Sequence, residues 1–125
     1  ATCPASQTGS TLVVPLTCLE VGDQIEGFYL QGQIESAGNT VTLDANLRSF
    51  TVGTADMVDA SVASMTQISK TADFAIDRAG SLKTGFAETV TAAKSYYMLL
   101  TATTGASTDI DLGAVVLVVR KQFVK

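Results

Sequence analysis

The 125-residue chain contains no histidine, no tryptophan, two cysteines and two prolines, and charged residues make up only 16% of it. Without histidine the commonest general base at neutral pH is missing, and the serine and cysteine nucleophiles have no evident activating partner, so no enzyme is expected. The acid pairs Asp109/Asp111 and Asp73/Asp77 are read as solvated carboxylates rather than a glycosidase couple. Half the usual ligands of tetrahedral zinc are absent too, and there is neither a CxxC motif nor an EF-hand loop, so no metal and no cofactor are expected. No run approaches the roughly 18 to 20 apolar residues of a membrane-spanning helix, which excludes that kind of membrane anchor. A net charge of −4 without a clustered basic face argues against nucleic acid as a partner. The late basic residues Arg120, Lys121 and Lys125 are read as solubilising the chain end or as docking on an acidic surface.

Cys3 and Cys18 would close a loop of about 15 residues, worth roughly 3 kcal/mol on the chain-entropy model if oxidised. They are read as two free thiols. The alternative, a Cys3–Cys18 disulfide, would suit an exported subunit.

What is present is apolar and β-prone. Hydrophobic residues are 46% of the chain, enough to build one core at this length, and the Thr, Val and scattered Gly suit pleated strands and turns. The expected fold is therefore all-β, an antiparallel β-sandwich, with residues 1–20 forming an N-terminal arm and first edge strand and residues 21–125 the sandwich domain. Residues 1–10, small, polar and broken by Pro4 and Gly9, read as an extended arm. Residues 11–19 read as a strand that Pro15 confines to an edge, followed by a Gly22-Asp23 turn. In residues 26–35, Phe28, Leu30, Gly32 and Ile34 alternate with Tyr29, Gln31, Gln33 and Glu35. In residues 40–48, Val41, Leu43, Ala45 and Leu47 alternate with Thr42, Asp44, Asn46 and Arg48. With turn chemistry between them at residues 36–39, the two runs predict a hairpin. Residues 57–68 lean to strand, Phe74 and Ile76 mark a short one, residues 80–85 read as a loop, and residues 86–94 carry no decisive pattern.

Residues 95–103 and 110–119 flank the turn-forming stretch 104–108 and predict a terminal hairpin. In its last strand Ile110, Leu112, Ala114, Val116 and Val118 fall on one face by strict alternation, and Val115, Leu117 and Val119 on the other. Both faces are apolar. If the second points outward, three aliphatic side chains at roughly 1.5 to 3 kcal/mol each seek cover, either from loops of the same chain or, the favoured reading, from another copy. Tyr97 and Leu99, outward if Tyr96, Met98 and Leu100 are inward, would extend the same stripe. Tyr97, Leu99, Val115, Leu117 and Val119 are accordingly the expected oligomer interface.

The order of these features resembles that of the small jelly-roll or TNF-like β-sandwiches that serve tailed bacteriophages as decoration and fibre proteins. The resemblance runs from Val21 to Val124. Its carriers are the Gly22-Asp23 turn into Phe28 to Ile34, the Gly38-Asn39 turn into Thr40 to Leu47, and the closing segment with Tyr96, Tyr97 and Asp109 to Val119. Members of the family often carry tryptophan in the later strands, which this chain lacks. The resemblance implies a jelly-roll-like sandwich and a homotrimer on the outer surface of a phage capsid, made in the host cytoplasm and cementing the major capsid protein of the virion. It also implies an arm, here Thr2, Cys3, Pro4, Ser6 and Gln7, that clamps the shell or a neighbouring protomer. Two other roles remain open at this level: a glycan- or receptor-binding fibre module, with Tyr29 or Tyr97 stacking on a sugar, and a secreted adhesin or pilus-like subunit.

Overall fold

A computed structural model describes residues 1–53 and 57–121; Lys125 of the basic cluster lies outside them. The described residues form ten strands and one helical turn: β1 (Thr2–Cys3), β2 (Ser10–Leu16), β3 (Gln24–Glu35), β4 (Val41–Val52), β5 (Met57–Ser64), β6 (Ile68–Lys70), β7 (Phe74–Ile76), α1 (Arg78–Ser81), β8 (Glu88–Thr89), β9 (Lys94–Thr103) and β10 (Asp109–Arg120). They make two antiparallel sheets. One runs β1-β10-β3-β7, with β8 also on β3; the other runs β2-β9-β4-β5, with β6 also on β4. The all-β sandwich expected from composition and alternation is the fold.

The alternating runs face the core as expected. Phe28, Leu30, Ile34, Val41 and Leu47 are fully buried, and Leu43 and Ala45 nearly so. Tyr96, Met98 and Leu100 of β9 join them from the second sheet, with Ile25, Ile76, Val90 and Ile110. Burying such side chains, at roughly 1.5 to 3 kcal/mol each, is the main force holding the sheets together.

The expected hairpins are corrected. β3 and β4 do not pair; they lie in opposite sheets, β3 beside β10 and β4 beside β9. Nor do β9 and β10 pair, for the same reason. Alternation states which face of a strand is buried. It is silent about which neighbour supplies the ladder, and two one-sided strands can bury their faces against each other across a core as well as side by side. Both connections are therefore corners between sheets. At the first, Gly38 takes φ +86°, a conformation that side chains disfavour, while the Ser36 hydroxyl donates to the Asn39 carbonyl at 2.6 Å. Asn39 Nδ2 then donates to the Ala106 carbonyl at 2.8 Å, tying the first corner to the second.

Residues 1–10 are not a free arm. Thr2 and Cys3 pair with Asp111 and Ile110, Leu112 N–H donates to the Ala1 carbonyl at 2.7 Å, and the Thr104 hydroxyl donates to the Pro4 carbonyl at 2.6 Å. The backbone N–H of Ser6 binds the Gly105 carbonyl, and that of Thr104 the Gln7 carbonyl. Small polar residues without a hydrophobic period can still be held by backbone hydrogen bonds at an unpaired sheet edge, which periodicity does not register. Residues 1–20 thus supply one strand to each sheet, β2 being the edge strand that Pro15 implied.

The far side of β3 is covered piecemeal. β7 takes Gly32 to Ile34, β8 takes Gln24 and Ile25, and Lys83 exchanges backbone bonds with Phe28. Between them Leu30 N–H donates at 2.9 Å to the hydroxyl of Ser81, a buried residue that ends α1. The loop read over residues 80–85 thus begins inside a helical turn, capped by Asp77, whose carboxylate accepts from Gly80 N–H at 2.8 Å.

Candidate functional site

The feature that sets this sandwich apart chemically is its open edge. β10 pairs with β3 along nearly its whole length, but its other side is covered by Ala1 and β1 only from Ile110 to Leu112, so that, among the described residues, 114–120 form an unpaired edge. Across the sandwich, among the described residues, β2 is bonded to β9 alone. Between these two edges the core is not closed. A cavity of about 130 Å³ lies at the β1 end, bounded in part by Thr2, Leu12, Leu100 and Leu112. A second of about 360 Å³ lies at the other end, bounded by Leu16, Cys18, Leu19, Val115, Leu117 and Val119 among others. Leu12 pairs with Leu100 on the core side, yet is 38% exposed, with the first cavity lying between it and Leu112.

The side chains of β10 follow a pattern that strict alternation misses. Its register against β3 slips between Leu112 and Ala114, so that Leu112 sits opposite Gly32 and Ala114 opposite Gln31, with Gly113 as the extra residue of a β-bulge. One extra residue inverts the parity of everything after it. Val115 then stands opposite buried Leu30, Leu117 opposite Phe28 and, after a second slip, Val119 opposite Ile25. These three side chains turn toward the core rather than outward, and Ala114, Val116 and Val118 take the outer face. Val115 and Leu117 pack against the core cluster while remaining half-buried. The glycine inside an apolar run was the available signal, since isolated glycines in strands mark bulges.

Tyr97 and Leu99 do point outward, as their buried neighbours Tyr96, Met98 and Leu100 require. They lie on the other sheet, however, so they do not share a stripe with Val115, Leu117 and Val119. Leu99 stands between Val13 and Asn46. The Tyr97 hydroxyl donates to Asp59 at 2.7 Å, and Arg48 Nε reaches the same carboxylate at 3.2 Å. The Tyr97 hydrogen bond, aided by Arg48, holds the Asp59 carboxyl below its usual range. Beside this network a groove of about 760 Å³ runs past Val13, Pro15, Phe50, Lys94, Ser95 and Tyr97. Tyr29, the other aromatic considered for a sugar, is half-buried opposite Val116, with the Arg78 guanidinium 5.5 Å from its ring centre.

The arm residues Thr2, Cys3, Pro4, Ser6 and Gln7 come together along β10 and the 104–108 corner. The Thr2 hydroxyl donates to Asp111 at 2.8 Å, and Gln7 N–H donates to the Thr104 hydroxyl at 3.0 Å. Both cysteines are free thiols. Cys3 sits opposite Ile110, and Cys18 lies beside Val115 to Lys121. At about 3.3 Å per strand residue, that separates them by roughly 15 Å or more, well past the ~7 Å Cα limit for a bridge. The possible disulfide is therefore set aside. Two of the late basic residues have partners in the chain: Arg120 meets Glu26 at 3.1 Å, and Lys121 meets buried Asp23 at 2.8 Å. Hydrogen bonds from Lys121 and from Glu20 N–H lower the Asp23 carboxyl below its ordinary value. Neither aspartate pair noted in the sequence, nor any other set of three His, Cys, Asp or Glu among the described residues, gathers as a metal site. No family model, no curated protein and no solved structure matches the chain.

Proposed function

We propose that the chain is a non-enzymatic, self-associating structural subunit of jelly-roll type, whose setting is the outer surface of a phage capsid. The observation that carries the self-associating part is the open edge: among the described residues, seven consecutive positions of β10 lack a ladder partner on one side while their core-facing valines and leucine stay half-buried. Unpaired apolar edges are liabilities that proteins blunt with charge, proline or cover, or else use for pairing. Here residues 114–119 hold neither charge nor proline, which favours pairing.

The jelly-roll reading is supported by nesting. β1 and β3 flank β10 in one sheet, β2 and β4 flank β9 in the other, and the chain changes sheet at each step from β1 to β4 and from β9 to β10. Such double-sheet wraps recur in capsid and lectin domains. The capsid setting rests on the resemblance carried by Gly22-Asp23, Gly38-Asn39 and the closing segment, and fold-level likeness alone does not fix a role. In this reading the N-terminal residues contribute from a fixed position on β10.

Static and dynamic light scattering test the association, and co-sedimentation with shells lacking the protein tests the setting. Co-pelleting at a constant ratio to capsid protein is expected; a protein left wholly in the supernatant would defeat the decoration role. A glycan-binding reading has one observation in its favour, the groove beside Tyr97, Phe50 and Lys94, since a concave, largely apolar site with a few polar groups is the usual form of a ligand pocket. Binding on a glycan array that Tyr97→Ala abolishes is the result that reading requires.

A further inference from the structure

We propose that the free half of β10 pairs antiparallel with the same strand of a second copy about a two-fold axis at Leu117, an inference that rests on the self-association reading and names its partner edge. The backbone directions follow from the half of β10 already covered. Leu112 exchanges both its bonds with Ala1: its N–H donates to the Ala1 carbonyl at 2.7 Å, and its carbonyl accepts from the Ala1 amino group at 2.9 Å. A core-facing residue of β10 therefore directs N–H and C=O toward the open side. In a strand of given direction, the face a side chain takes and the side its N–H takes are coupled, because both alternate with period two. The Gly113 bulge inverts both together. Val115, Leu117 and Val119, core-facing again, thus present their backbone groups to the open edge.

Those three residues are symmetric about Leu117. With two copies related by a two-fold axis there, Leu117 meets Leu117 of the second copy and Val115 meets its Val119, giving about six N–H···O=C bonds, two from each bonded pair. Core face meets core face and outer face meets outer face, with Val116 opposite Val118. The partner strand continues the β10 sheet over the gap that Leu16 and Leu19 now line, so the core is closed by company. Three features select a second copy as occupant. The edge is uncharged from Ala114 to Val119, so identical edges approach without repulsion and a charged peptide finds nothing to pair with. The one charge at its end, Arg120, is matched in its own chain by Glu26 and falls opposite Ala114 of the second copy. The adjoining half of the same edge already holds an extended segment antiparallel. A self-complementary contact of this kind is isologous and closes at two, in place of the three-fold arrangement that the family resemblance implies.

Val116 and Val118 lie on the outer face and allow a test that spares the core. Wild type is expected to weigh twice the chain mass by sedimentation equilibrium, V116K/V118K and V116E/V118E to weigh one chain each, and their mixture to return to a dimer, since position 116 faces 118 across the axis. Hydrogen exchange gives a second readout that needs no variant. Amides of Val115, Leu117 and Val119 slow with rising wild-type concentration, whereas those of Val116 and Val118, bonded to β3, are slow throughout. An oligomer that persists in both variants, or concentration-independent exchange at the three amides, overturns this edge while leaving self-association standing. A wild type that stays monomeric to about 100 μM, where even a micromolar pair would form, overturns both.

Discussion

Ser81→Ala tests how β3 is held on its outer side. Leu30 is fully buried, and its N–H donates at 2.9 Å to the Ser81 hydroxyl, which lies 2.6 Å from the Asp77 carbonyl and is itself only 2% exposed. The side chain stands where a further strand would have supplied a carbonyl, between the short pairings of β7 and Lys83 with β3. Alanine removes the acceptor without adding bulk, leaving a buried backbone donor unsatisfied at a cost of about 1 to 3 kcal/mol. Around 60 °C, with an unfolding entropy near 2.1 cal/mol/K per residue, that corresponds to a fall of roughly 4 to 11 °C in melting temperature for a chain this long. Urea unfolding followed by circular dichroism measures it, with exposed Ser95→Ala as the control expected to stay within about 0.5 kcal/mol. A Ser81→Ala protein as stable as that control would refute the claim that this hydroxyl completes the ladder.

Other expectations concern the bulge, the turn ion pair and the thiols. Gly32→Ala places a Cβ against the Asp111 carbonyl oxygen and 3.1 Å from Leu112 Cα; backbone cannot swing aside as a side chain does, so a loss of about 1 to 3 kcal/mol is expected in the same unfolding assay. Deleting Gly113 alone leaves Ala114 opposite Gln31 and Val115 opposite Leu30, so the faces keep their sense. Deleting Gly113 and Ala114 together turns Val115, Leu117 and Val119 outward, and should lower the urea midpoint below that of the single deletion and raise binding of a hydrophobic dye; equal midpoints for the two deletions would disprove the parity argument. The Asp23 carboxyl lies below its ordinary value because Lys121 and Glu20 N–H donate to it, so its contribution is present above the unfolded pKa of about 3.9 and is lost as pH falls through the lower folded value. Wild type should thus exceed Asp23→Asn in stability at neutral pH and converge with it under strong acid, as paired denaturation curves across that range would record. Both thiols should titrate with Ellman's reagent without prior reduction, exposed Cys18 ahead of half-buried Cys3; failure to find two would contradict the separation of the cysteines.

The alternation of Phe28, Leu30 and Ile34, and of Val41, Leu43, Ala45 and Leu47, determined by itself which side chains form the core, because a period of two puts every second residue on one face whatever lies beside it. Pro15 likewise marked β2 as an edge, since it cannot donate to a ladder. Three things were decided only in the folded molecule. Whether residues 36–40 and 104–108 turn a hairpin or a corner depends on which strand competes for each ladder, and β10 and β9 won those places from far along the chain. The N-terminal stretch has no hydrophobic period, and is held by backbone bonds that exist only once Ile110 and Asp111 offer an edge. The inward turn of Val115, Leu117 and Val119 follows from one glycine that β3 leaves unpaired. Faces are a local property of the backbone, whereas neighbours, register and the unpaired edge of β10 are set by contacts between residues distant in sequence.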